Sequence, residues 1–254
     1  MMDDKKGGNG GWILGVWRFA DHLLLSLMVA CTLMAAVILT WDEPIWTTVL
    51  LSLCLVIQGL LHPGPGDRLA MLTAAILGTP AEIAEVHLGE WTYYAPDLMW
   101  GVPMWIPLIW ANLFALFRRL SRSWTAILDI IFEKEGVLRR RLDMVLMVSI
   151  IGLWVSALLL MDKPPLVQGL YALMILLTAL FWRTEMDSLV FLTGGTLGAV
   201  GEFVCVQLGY WSYFNPLFKD FGVDITLPLD WGLSAVIIHR IASRWQGSQP
   251  LQRL

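Results

Sequence analysis

The sequence carries little charge. Only 15% of its 254 residues are Asp, Glu, Lys or Arg, against a hydrophobic fraction of 57% and a mean hydropathy of +0.66. A water-soluble domain of this size needs far more polar surface, so the composition excludes that class and leaves a polytopic membrane protein. Cysteine is scarce as well. Cys31, Cys54 and Cys205 all fall in apolar stretches with no metal-type spacing, which argues against structural disulfides and a thiolate-held metal. There is no phosphate-binding glycine loop, Ser-His-Asp set, His-Glu-x-x-His motif or nucleic-acid patch, and no cofactor is implied. The opening MMDDKKGGNGG lacks a cleavage site behind a secretory core and reads as a disordered tail over 1–11.

What is present is length of apolar chain. Stretches at about 23–40, 45–61, 69–89, 101–117, 144–161, 165–182, 188–209 and 225–243 are mostly long enough to cross a hydrocarbon core of about 30 Å. The expected fold is therefore all-α, with eight transmembrane helices. Pro103, Pro107 and Pro228 interrupt the fourth and eighth stretches near one end, where a bent or partly re-entrant segment is the alternative. With the N-terminus cytoplasmic, 15 of the 17 Lys and Arg residues fall on the inner side and only Lys163 and Lys219 outside. The positive-inside rule favours that orientation, with both termini in the cytoplasm of a bacterial or archaeal cell.

The chain also contains itself twice. Residues 71–96 (MLTAAILGTPAEIAEVHLGEWTYYAP) align without a gap on 191–216 (FLTGGTLGAVGEFVCVQLGYWSYFNP), with 11 of 26 positions identical at a constant offset of 120. After one inserted residue the match resumes, pairing Gly101, Val102, Pro107, Leu108, Trp110, Arg119 and Trp124 with Gly222, Val223, Pro228, Leu229, Trp231, Arg240 and Trp245. Upstream, Asp42, Pro44 and Asp67 recur as Asp162, Pro164 and Asp187. This is a tandem repeat of a four-helix unit. An even number of spans per unit inserts both units the same way up, related by an axis along the membrane normal. The expected organisation is a tail over 1–11, a first repeat over 12–125, a linker over 126–141, a second repeat over 142–246 and a tail over 247–254.

Chemistry is to be sought where acids sit in apolar spans. Glu82 lies seven residues before Gly89, roughly 10 Å inside its helix end, and Glu202 holds the same place in the second repeat. A lone carboxylate there is costly, so each must be protonated, hydrogen-bonded or turned to a wet cavity. The first repeat adds Glu85, His87 and Glu90; the second has Cys205, Gln207 and Tyr210 there and gains Asp224 and Asp230. Asp230 is expected about seven residues inside its helix, near the depth of Glu202, where the pair would suit general acid/base work. Glu82, Glu202 and Asp230 are the candidate catalytic residues. Glu85, His87, Trp91, Tyr93, Trp110, Trp211, Tyr213 and Trp231 are the candidate ligand-binding residues, lining one cavity toward the outer leaflet. The competing reading is structural, each glutamate tying down its own Gly-x-Trp-x-Tyr loop. A metal site is disfavoured, because on a helix His87 lies about 140° from Glu82 and 160° from Glu85.

Other features have plainer readings. The segment from Arg118 to Asp143 spaces Leu120, Trp124, Ile127, Leu128, Ile131 and Phe132 as an amphipathic helix on the inner membrane surface. Its basic residues could hold anionic lipid. Asn112 is expected to bond between helices, and His22 and His62 to lie at inner membrane ends, in the interface. Trp91, Tyr93, Tyr94, Trp100, Trp105, Tyr210, Trp211 and Tyr213 are either an interfacial belt or a ligand cage.

The order Glu82, Gly89, Tyr93, Gly101 to Pro103 and Pro107 to Trp110 resembles a pattern in the integral membrane carotenoid hydratases that act on bacterioruberin precursors. It spans about 30 residues per half, and the second half departs from it with Asp224 in place of the proline. The resemblance implies acid-catalysed chemistry on an isoprenoid chain, with Glu82 as proton donor. Two classes of function follow. One is a pocket for an apolar isoprenoid or lipid, with acid/base chemistry on a double bond. The other is a non-catalytic membrane module that binds lipid or pigment or packs against other membrane subunits.

Overall fold

The structure, a computed structural model, describes residues 8–60, 66–96, 98–128, 149–153, 164–181, 185–214, 222–224 and 226–247. Most of the expected linker, most of the fifth stretch, the chain ends, His62, Lys163 and Lys219 lie outside the described residues. In chain order the helices are α1 Gly8–Thr40, α2 Pro44–Leu60, α3 Asp67–Leu88, α4 Ile106–Leu128, α5 over 149–153, α6 Pro164–Phe181, α7 Glu185–Gln207 and α8 Leu227–Gly247. Between them lie short strands β1 Trp91–Tyr93, β2 Leu98–Met99, β3 Val102–Pro103 and β4 Trp211–Tyr213. Gly8 to Gly11 of the expected tail are already helical.

Among the described residues three helices are long and apolar enough to cross a membrane, over Leu23–Thr40, Asp67–His87 and Met186–Gln207; Pro44–Leu60 and Leu166–Thr178 are apolar but shorter. Their outward side chains suit acyl chains. Leu24, Met28 and Leu39 on α1, Ile45 and Leu53 on α2 and Leu72 and Ile76 on α3 are all exposed. This is an integral membrane protein. The more charged α4 and α8 occupy the middle of the bundle instead, where Phe114, Phe117, Leu233 and Val236 are almost wholly buried.

The prolines do not bend α4 or α8. Pro107 and Pro228 sit in the first turn, where a missing N–H costs nothing, and Pro103 lies before the helix in β3. Each helix therefore starts later than the apolar pattern suggests. A second departure concerns the amphipathic segment. Helix α4 runs unbroken to Leu128, and Leu120, Arg118, Arg119, Ser121 and Ser123 are buried. Its beginning is bundle rather than surface helix, because the arginines find acceptors on neighbouring helices.

Small residues let the large ones meet. A Cβ on Gly78 would lie 2.1 Å from the Trp110 ring, and one on Gly198 2.3 Å from the Trp231 ring. These glycines admit the two indoles to the helix contacts. Trp110 and Trp231, matched by the repeat alignment, then stack on each other at 5.0 Å and 20°. Asn112 bonds between helices as expected. Its Oδ1 accepts from Gln58 Nε2 at 2.7 Å, and its Nδ2 donates to the Leu51 carbonyl at 3.0 Å.

Candidate functional site: twin carboxyl ties beside an apolar cavity

The two Gly-x-Trp-x-Tyr loops pair with each other. Helices α3 and α7 end on Gly89 and Gly209 at φ of 81° and 75°, left-handed positions that favour glycine. The N–H groups of Glu90 and Tyr210 then close back on the Glu85 and Cys205 carbonyls, each at 3.0 Å. The chains run on as β1 and β4 in an antiparallel ribbon, with Trp91 opposite Tyr213, Thr92 opposite Ser212 and Tyr93 opposite Trp211. Tyr94 N–H donates to the Tyr210 carbonyl and Phe214 N–H to the Glu90 carbonyl, both at 2.9 Å. Every one of these contacts maps onto its mate under the repeat offset. The register is therefore that of a local two-fold between Thr92 and Ser212.

Beneath this cap each glutamate is held by its own loop. Glu82 Oε2 accepts from Tyr93 Oη at 2.6 Å and Oε1 from Trp110 Nε1 at 3.2 Å. Glu202 Oε1 accepts from Trp231 Nε1 at 2.7 Å, and its Oε2 accepts from the Tyr213 hydroxyl. Burial and then the adjacent glutamate raise both tyrosine hydroxyls well above their ordinary value, so they remain donors. Both acids point into the bundle. All four carboxyl oxygens already have a donor.

Beside the ties lies a cavity of about 170 Å³. Leu33, Met34 and Val37 of α1, Ile109 and Leu113 of α4 and Leu197 and Cys205 of α7 make its apolar wall. Glu82, Glu202, Tyr93, Trp105, Trp110, Trp211 and Trp231 border it at the cap end. Trp41 backs that end, stacking on Tyr210 at 4.3 Å and 7° and meeting Trp105 edge-on at 5.4 Å. The contribution of α1 carries no polar signal in the sequence, and Trp41 lies outside the matched loops. Both escape motif reading for that reason.

The expected single cavity is not what the structure shows. Glu85, Asp230, Trp91 and Tyr213 do not line it. Trp91 packs on Tyr213 at 5.3 Å. His87 is exposed, with Nδ1 2.8 Å from the Ile83 carbonyl, as helical geometry demands of a residue so far round from Glu82. Asp230 sits in the first turn of α8, not several residues inside it. The Asp224 carboxylate takes the Thr226 N–H and hydroxyl, both at 2.7 Å, and so starts the helix later. Asp230 accepts from Tyr171 Oη on α6 at 2.9 Å. Glu90, in the cap, has its carboxyl raised from the ordinary value by burial and then by Asp224. The aromatic group divides: Trp91, Tyr93 and Trp105 are buried, while Tyr94 and Trp100 are exposed as a belt requires.

At the opposite end the bundle is closed by charge. Asp67 receives Arg118 Nε at 3.3 Å and a second bond from Arg122; Asp187 receives Arg240 Nε at 2.7 Å. Arg118 also bonds His239 Nδ1 at 2.7 Å, its own mate in the repeat alignment. Buried as they are, Arg118 and Arg119 are not surface charges for anionic lipid.

No protein family and no curated protein matches the chain. Solved structures do resemble it. The mycobacterial Insig homologue MvINS from Mycobacterium vanbaalenii aligns at 22% identity with a TM-score of 0.53. A cross-linked MvINS trimer aligns at 19% identity and 0.55. Each alignment covers 73% of this chain and 97% of the other. At that identity the likeness is one of architecture: this chain shares the helical membrane fold of MvINS.

Proposed function

We propose that the protein binds the apolar chain of a membrane lipid or isoprenoid in the cavity between α1, α4 and α7. In this reading the chain crosses the membrane eight times as two four-helix units related by rotation about the membrane normal. The cap faces outward and both termini are cytoplasmic. The observation that carries the proposal is the cavity itself: an apolar wall with polar groups gathered at one end suits a chain with a polar head. A volume of about 170 Å³ is close to that of an engineered apolar cavity that admits benzene, about 150 Å³, so a short stretch of chain fills it.

The two carboxyl ties favour binding over catalysis. Protonating a double bond requires an acid whose proton faces the substrate, and each oxygen of Glu82 and Glu202 already accepts a bond from the protein. Isoprenoid chemistry through Glu82, which the carotenoid-hydratase resemblance implies, is the second reading.

The test is mass spectrometry of lipid co-purified with the protein, repeated on Gly201→Leu. A Cβ there meets nothing nearer than Met34 Sδ at 3.8 Å, so the added side chain fills cavity rather than core. The variant should fold and lose the ligand; undiminished ligand would sink the proposal. Glu82→Gln and Glu202→Gln should lower thermal stability and retain ligand. A folded variant that accumulates an unreacted isoprenoid would favour the enzyme instead.

A further inference from the structure

The polar end of the apolar cavity is richer in acceptors than in donors. Tyr93 Oη, Trp110 Nε1 and Trp231 Nε1 border it, and all three already donate to the carboxyl groups of Glu82 and Glu202. A fourth donor, Trp105 Nε1, is fully buried without a partner among the described residues, so no ligand atom reaches it unless the ring turns. The carboxyl groups keep more in hand. Each of their oxygens accepts one of these bonds and has lone pairs for two. Glu82 is buried and Glu202 only half-buried, which makes Glu202 the acceptor within reach of the cavity.

Size and shape narrow the ligand further. The cavity of about 170 Å³ is little larger than one that admits benzene, about 150 Å³, so it takes a single six-membered ring. Its cap end is framed by the indoles of Trp105, Trp110, Trp211 and Trp231. Flat aromatic walls favour a flat aromatic guest, through offset or edge-to-face contacts that a flexible chain does not make. The cavity also reaches the lipid-facing surface. Val200 lines it and is 54% exposed, and Met34, on α1 beside Gly201, is half-buried. A tail on the ring can leave between α1 and α7 there.

We infer that the cavity binds the phenolic head of an alkyl or isoprenoid lipid, with the ring among the indoles and its hydroxyl donating to Glu202. This rests on the lipid-binding reading above and sharpens it from an apolar chain to a hydroxylated ring with a tail. A phenol meets the three demands together: a ring for the walls, a donor for the spare lone pairs, and a tail opposite the hydroxyl for the exit. A fatty alcohol lacks the ring and an alkylbenzene lacks the donor. A fatty acid brings a second acid to a carboxyl group, where like charge repels it.

The experiment titrates the purified full-length protein in neutral detergent with 4-decylphenol, decylbenzene and 1-decanol, and reads the rise in Tm. The phenol should give a saturable rise with a midpoint about tenfold or more below those of the other two, since the hydrogen bond and the aromatic contact each add to it. Glu202→Gln should shrink the phenol's lead over decylbenzene severalfold and leave decylbenzene itself unchanged, because an amide is a weaker acceptor than a carboxylate. An undiminished lead overturns the assignment to Glu202. Gly201→Leu should remove the saturable rise. If that variant does not fold, displacement of co-purified lipid from the unaltered protein by the phenol, and not by decanol, locates the site instead. The mass of that lipid tells a prenylated quinol from another alkylphenol. Decanol or decylbenzene as effective as the phenol overturns the proposal and leaves lipid binding intact. No rise with any probe overturns it too, and the lipid-binding reading falls with it only if co-purified lipid is equally abundant in Gly201→Leu.

Discussion

The two halves hold their loops in the same way and present different faces to the space beside them. In both, a glutamate one turn and a half from the helix end takes a tyrosine hydroxyl on one oxygen and an indole N–H on the other. Beyond the ties, the first half offers Ile109 and the second half Cys205 to an apolar cavity; their mates Asp230 and Glu85 are acidic and do not line it. The lesson is that a buried tie and the wall beside it obey different constraints. A tie fails if any one partner is lost, since a buried polar group is left unsatisfied. A wall residue can change character so long as something of matching polarity occupies the space it faces.

The largest effect that would probe this comparison lies at the ion-pair end. Asp67→Asn removes the carboxylate facing Arg118, which is only 5% exposed, and should cost about 3–5 kcal/mol. Asp187→Asn should cost less, because Arg240 is 19% exposed and water can replace part of the pair. Denaturation of the two variants in the same detergent checks the order, and equal losses would break it.

Next come the ties. Tyr93→Phe and Tyr213→Phe each take a donor from a carboxylate, at about 1–3 kcal/mol. The loss should be greater for Tyr93, because Glu82 is buried and Glu202 only half-buried. A Tyr213→Phe variant less stable than Tyr93→Phe would contradict the ordering of the two ties by burial.

The smallest effect is a pH dependence at the cap. The folded protein holds the Glu90 carboxyl above its ordinary value, through burial and Asp224. A raised acid favours folding below its unfolded pKa of about 4.3, and that contribution is lost as pH rises through the folded value. Glu90→Gln should therefore raise Tm slightly at neutral pH and leave it nearly unchanged below about pH 4. The carboxyl is half-exposed, so solvent screening keeps the gain small. A shift that is equal at both pH values would show that Asp224 and burial are not its cause.

Much of the fold is legible in the chain because it follows from local composition. Apolar stretches of bilayer length define the helices, Gly89 and Gly209 end α3 and α7, and the repeated Glu82 and Glu202 mark where polar contacts gather. The starts of α4 and α8 were less legible, since apolar residues before Pro107 and Pro228 continue the pattern into hairpin and turn. The site was legible in parts. Glu82, Tyr93, Trp110, Glu202, Trp211 and Trp231 do meet around one cavity, whereas His87, Glu85 and Asp230 are turned elsewhere.

Sequence alone determined that this is a membrane protein whose sequence carries two matching units, because hydropathy and internal identity need no knowledge of contacts. Only the tertiary structure decided which faces those units share. Depth along a helix can be counted from the chain at 1.5 Å per residue. Azimuth relative to another helix cannot, because it is set by packing: Gly78 and Gly198 admit the indoles, Trp110 stacks on Trp231, and β1 pairs with β4. That arrangement places Glu82 and Glu202 beside the apolar cavity and leaves Glu85 and Asp230 out of its lining.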